Sequence, residues 1–155
     1  MLRIFLATAH LLALGIGLWA VLARGRALRE IPAPGALRRA LDADSNWGAA
    51  AILWLGTGLW RYLGAMEKST AYYNQNHYFL AKMGLFVLIV LLEIRPAIAM
   101  VRWRRALARG GGTETSVEPD VARRVATISY VQGALLVLMV LAATAMARGL
   151  GSMGS

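Results

Sequence analysis

The sequence predicts an all-α integral membrane protein, a four-helix bundle with both termini on the periplasmic side, and three observations carry that prediction. Of its 155 residues, 58% are hydrophobic and 16% charged, with a mean hydropathy of +0.53, whereas ordinary soluble domains are about one quarter charged. The apolar residues gather into four runs near 4–23, 47–63, 78–101 and 125–147, each reaching or nearly reaching the roughly 20 residues that cross a hydrocarbon core. The basic residues alternate between connections. Arg24, Arg26, Arg29, Arg38 and Arg39 follow the first run and Arg102, Arg104, Arg105, Arg109, Arg123 and Arg124 follow the third, while the connection between the second and third offers Arg61 and Lys68. Arginine-rich loops stay in the cytoplasm, so the pattern sets the orientation in a bacterial inner membrane.

Taken in order, the first run is longer than the apolar core of a secretory signal, about 7–15 residues, and ends without a clear cleavage site, so it is expected to remain as a helix. The connection after it, RGRALREIPAPGALRRALDADSN, is broken by Pro32 and Pro34. A short helix lying at the lipid headgroups is expected after them, with Leu37 and Leu41 on one face. Asp44, Ser45 or Asn46 then caps the second span. That span is the shortest and holds Gly48, Gly56 and Gly58, which membrane helices tolerate. The outer connection carries Tyr62, Tyr72, Tyr73 and Tyr78 beside Trp60, as expected at a membrane–water boundary. The second basic loop, with its run Gly110 to Gly112, reads as a mobile linker, and Pro119 and Asp120 begin the fourth helix. One domain over residues 1–150 accounts for the chain, with a disordered tail at 151–155.

The absence of cysteine excludes disulfides, thiolate catalysis and cysteine-held metals. The net charge of +9 lies mainly in two loops where topology explains it, so no nucleic-acid partner is expected.

His10, Lys82 and Glu93 stand out among the ionisable residues within the apolar runs. His10 lies about 10 Å deep on a helix entering at Ile4, and Lys82 lies slightly shallower on a parallel helix. His10 either hydrogen-bonds between helices or ligates, and Lys82 either snorkels to the surface or serves a site. Ala13, Gly17, Ala20 and Arg24 continue the His10 face with little side-chain bulk, which suits close helix packing or a flat ligand. Imidazole is a common axial ligand of haem iron. Glu93 shares a face with Lys82 at about 16 Å, too far to pair. It is expected in a structural polar network at the inner end with Arg95, Arg102 or Arg24 and with Ser129, Tyr130 and Gln132 of the fourth span. His77, or a copper site from His10, His77 and Met66 or Met83, completes the candidates.

HLLALGIGLWAVLARGRAL, WGAAAILWLGTGLWR and EKSTAYYNQNHYFLAKMGLFVLIVLLEIRP together resemble a family of uncharacterised bacterial predicted membrane proteins, domain of unknown function 2214, over His10 to about Arg104. That resemblance implies a fold and no activity. A looser one, to the HemJ-type protoporphyrinogen oxidases, matches a histidine in the first span, an arginine further along and a lysine opening a later span, here His10, Arg26 and Lys82. It implies haem b, with His10 as axial ligand to the iron, Lys82 as second ligand or propionate partner, and Arg26 in the cofactor site. The expected activity is then electron transfer or porphyrin oxidation, with a membrane redox partner or a second copy of the chain. The alternatives are a non-catalytic accessory or lipid-binding bundle, and a small transporter or metal-handling protein.

Overall fold

The computed structural model describes residues 1–63, 77–110 and 113–148. The expected outer connection, from 64 to 76, and the expected tail at 151–155 lie outside the described residues. Among those described, the chain forms four α-helices: α1 (Leu2–Arg29), α2 (Ala36–Leu63), α3 (His77–Ala108) and α4 (Pro119–Ala147), with a 3-10 turn at Glu114–Ser116. Three contain spans long and apolar enough to cross a membrane, Ile4–Arg29, Phe79–Ala108 and Pro119–Ala145.

α2 differs from expectation. No proline lies between Ala36 and Leu63, so the short headgroup helix and the second span run on as a single helix of 28 residues. Asp44 and Ser45 are therefore interior to it and cap nothing; the Ser45 hydroxyl donates to the Leu41 carbonyl one turn back. Leu37 and Leu41, expected at the lipid surface, are buried inside the protein. Arg38, Arg39, Asp42 and Asp44 crowd the first turns, and Asn46, three glycines and Arg61 follow, so α2 is less apolar than the other helices.

The part of the second basic loop from 113 to 118 packs on the fold, while residues 111 and 112 of its glycine run lie outside the described residues. Val117 is buried, and a Glu114 carboxylate oxygen accepts from the Gly35 backbone N–H at 2.8 Å. Gly35 has φ +74°, where a side chain would be strained, and its turn is thereby pinned to the other basic loop. α4 begins at Pro119 as read from the sequence.

α1 packs along α2 and against α4, and α4 packs against α3, whereas the α2 and α3 backbones approach closely at few positions. Those two helices meet through long side chains, Arg104 with Asp44 and Trp54 with Phe86. Two apolar clusters hold the bundle together. One, at the arginine-rich end, joins Leu28, Leu41, Met100, Trp103, Val117 and Ala126. The other, further along the helices, joins Ala20, Val21, Trp47, Ile89, Leu136 and Met139. The small stripe on α1 serves close packing: a Cβ on Gly17 would meet the Trp47 ring at 3.2 Å, so the indole occupies the room that the glycine leaves. Many other large apolar side chains, including Leu11, Leu12, Ile52, Leu59, Leu91 and Ile98, are exposed, the arrangement of a protein whose solvent is lipid.

Candidate functional site

Between the two apolar clusters lies a polar layer to which every helix contributes. On α1, Arg24 follows Ala20 and Val21 by one turn and precedes Ala27 and Leu28 by another, so helical periodicity turns it inward with them. Its side chain is fully buried. A guanidinium carries five N–H donors in a fixed fork, and each has an acceptor. Nε donates to Ser129 Oγ at 3.0 Å. Nη1 donates to Asp44 Oδ1 at 2.9 Å and to Glu93 Oε1 at 2.7 Å. Nη2 donates to Glu93 Oε2 at 3.0 Å and to Gln132 Oε1 at 2.8 Å. Asp44 comes from α2, Glu93 from α3, and Ser129 and Gln132 from α4.

The acceptors are themselves held. The Gln132 amide donates to Glu93 Oε2 at 2.8 Å and to the Ile89 carbonyl at 3.2 Å, and Ser129 donates to the Val125 carbonyl. Arg104 Nη2 reaches Asp44 Oδ2 at 3.1 Å, the Ser45 hydroxyl and the Leu41 carbonyl. Arg24 and Arg104 balance Asp44 and Glu93, so the layer is electrically neutral, the condition under which charge tolerates a low-dielectric setting. With all five donors engaged, Arg24 has none left for an outside anion.

Beside this layer, where the α2 and α3 backbones stand apart, is a cleft of about 280 Å³. Its walls are apolar: Ala13 and Gly17 of α1, Trp47, Ala51 and Trp54 of α2, and Phe86, Val90 and Ala97 of α3 are among them. Glu93 is the ionisable residue that borders it. The Glu93 side chain is 22% exposed.

The sequence-derived candidates divide. Glu93 and Gln132 meet as expected in the polar network, with Arg24 as the cation. Arg95 is exposed and makes no hydrogen bond to that network, because it stands two residues from Glu93 and points to another side of α3. Tyr130 lies instead against Gly25, with Arg29 stacked 4.7 Å over its ring. His10 is half-buried; its Nδ1 is 3.1 Å from the Trp54 carbonyl and 3.0 Å from Thr57 Oγ1, and its ring stacks on Trp54 at 5.3 Å. Gly58 makes room for it, since a Cβ there would meet His10 Cε1 at 3.1 Å. Lys82 has its ammonium 5.2 Å from the Phe79 ring on its own helix. Arg26 is exposed and lies sixteen residues along α1 from His10, about 24 Å by helical rise. α1, which carries His10, packs on α2 and α4 rather than on Lys82's helix. His77 is exposed at the start of α3. Among the described residues, no three His, Asp or Glu side chains gather as a metal site.

Asp44 and Arg104 were missed as members of the network. Their signal was available: Leu41, Asp44 and Trp47 recur at three-residue steps, so a carboxylate between two buried apolar positions faces inward with them.

The model of a family described as predicted membrane protein (DUF2214) matches residues 2–151. No curated protein and no solved structure matches the chain.

Proposed function

The chain belongs to the DUF2214 family of predicted membrane proteins, and from that premise we propose that it is a non-catalytic, lipid-binding bundle of the bacterial inner membrane. The cleft between α2 and α3 takes the acyl chain of a bilayer lipid. The observation that carries this reading is the cleft itself: an apolar recess of about 280 Å³, walled by two indoles and a phenyl ring, between the two helices whose backbones approach least. A hydrocarbon chain entering it gains dispersion contacts that an empty recess forfeits. The test is native mass spectrometry of protein released from lipid nanodiscs. Wild type should retain lipid through mild activation, and Ala51→Phe, which fills the cleft, should not. Equal retention by both would sink the reading.

In this account α2 crosses the membrane with the other three helices, both termini are periplasmic, and the arginine-rich end faces the cytoplasm. A reporter fused after Gly111 should read cytoplasmic and one inserted between Ser69 and Asn76 periplasmic; the reverse pair would overturn the orientation.

Haem b on His10 is the competing reading. One feature suits it, for a ligating imidazole commonly has its other ring nitrogen bonded to a carbonyl, as Nδ1 stands near that of Trp54. Neither His10, Lys82 nor Arg26 borders the apolar cleft, which favours the lipid reading over this one. A Soret band in protein purified with haem supply, lost in His10→Ala, would reverse this preference.

A further inference from the structure

The charge of the lipid's head is a separate question from the fate of its chain, and the structure bears on it at the arginine-rich end of α3. An open strip along one side of that helix is bordered by Ala97, Ile98, Val101, Arg102, Arg105 and Arg109. Ala97 borders the apolar cleft as well, so the strip leads into the cleft. Steps of three and four residues from Arg102 to Arg105 to Arg109 keep the guanidinium groups on one stripe over about 10 Å of helix.

These arginines differ from the others that the fold uses. Arg24, Arg39, Arg104 and Arg123 each pair with a carboxylate. Among the described residues, Arg102, Arg105 and Arg109 pair with none, and all three are exposed. The preceding acid on α3, Glu93, is already held by Arg24 and Gln132. The C-terminal carbonyls of α3 carry partial negative charge, so an anion must be held there by the side chains. Ile98 and Val101 are 58% and 46% exposed beside them, an apolar strip leading from the arginines toward Ala97. The order along the helix is thus cation cluster, aliphatic strip, aromatic cleft.

We infer that the bound lipid is anionic, with its phosphate on Arg102, Arg105 and Arg109 and one acyl chain passing Ala97 into the cleft. The inference rests on the lipid-binding reading above. Basic clusters at the cytoplasmic end of a membrane helix attract anionic headgroups, and guanidinium forks match phosphate oxygens in pairs.

The experiment titrates the full chain in detergent with phosphatidylglycerol, with phosphatidylcholine of identical acyl chains, and with inorganic phosphate alone. Binding is read by native mass spectrometry for wild type, for R102Q/R105Q/R109Q and for the triple lysine variant, each checked for helix content. Each arginine near the surface should contribute about fivefold. Wild type should therefore prefer phosphatidylglycerol by on the order of a hundredfold. The glutamine variant should bind both lipids equally at the wild-type phosphatidylcholine level, and the lysine variant should keep most of the preference. Equal binding of the two lipids by wild type overturns the inference and leaves the cleft reading standing. Failure of both lipids to bind removes the cleft reading with it. Inorganic phosphate that binds as tightly as phosphatidylglycerol also overturns the inference, because the site would then be a phosphate site without a chain.

Discussion

Replacing Arg24 with methionine keeps roughly the length of the side chain while deleting a guanidinium that joins all four helices. Two routes give the size of the effect. Interhelical hydrogen bonds in membrane proteins average about 0.6 kcal/mol, so five of them amount to about 3 kcal/mol. Removing one partner of a buried ion pair costs about 3–5 kcal/mol, because the other charge is left uncompensated. The second route applies chiefly to Glu93, since Asp44 still has Arg104. The expected loss is therefore about 3–5 kcal/mol, measured by SDS titration in mixed micelles with circular dichroism as the readout. A second substitution separates charge from packing. Glu93→Gln in the Arg24→Met background removes the stranded charge, so the double variant should recover about 2 kcal/mol relative to Arg24→Met alone, a coupling far larger than distant sites show. A loss below about 1 kcal/mol for Arg24→Met, or strict additivity of the two substitutions, would show that this layer is not a charge-balanced tie between helices.

Two further outcomes follow from the other end of the α1–α2 contact. His10→Ala should lower stability by about 1 kcal/mol in the same titration, the size of a lost interhelical hydrogen bond. Thr57→Val added to it should cost much less than Thr57→Val alone, because its imidazole partner is already gone. Trp54 Nε1 is buried and has no hydrogen-bond partner among the described residues, and an unmet buried donor is a standing cost of about 1–3 kcal/mol. Trp54→Phe should accordingly change stability by less than about 1 kcal/mol, the lost contact area being offset by removal of that donor; a loss above about 3 kcal/mol would show that the indole N–H is in fact satisfied.

Periodic apolar runs fixed the existence of the helices in advance because a bilayer demands long uninterrupted stretches, and Pro119 announced the start of α4 because proline is tolerated in a first turn. The continuity of α2 was harder to see. Arg38, Arg39, Asp42 and Asp44 resemble a surface segment in composition, yet nothing there stops a helix, and tertiary burial of Leu37 and Leu41 outweighs the polar signal. Glu93 and Gln132 were legible as network members because each is polar within an otherwise apolar span. The choice of Arg24 over Arg95 and Arg102 was not, since it depends on which face of α1 meets α4, and that rotation is set by packing such as Gly25 against Tyr130 and Gly133 against Leu22. The cleft was illegible for a related reason: each helix alone is apolar all round, and the gap arises from which pairs pack.

The occupancy of that gap is tested most directly by tryptophan quenching with lipids brominated in their acyl chains. Of the five tryptophans, Trp19, Trp60 and Trp103 are replaced by phenylalanine, leaving Trp47 and Trp54 in the cleft walls. Trp47 is only 8% exposed, so bromine reaches it chiefly from inside the recess. Strong quenching is expected in nanodiscs made with brominated lipid, most of it abolished by Ala51→Phe with helix content intact. Quenching that is weak from the outset, or that survives Ala51→Phe unchanged, would contradict the claim that a lipid chain lies between α2 and α3.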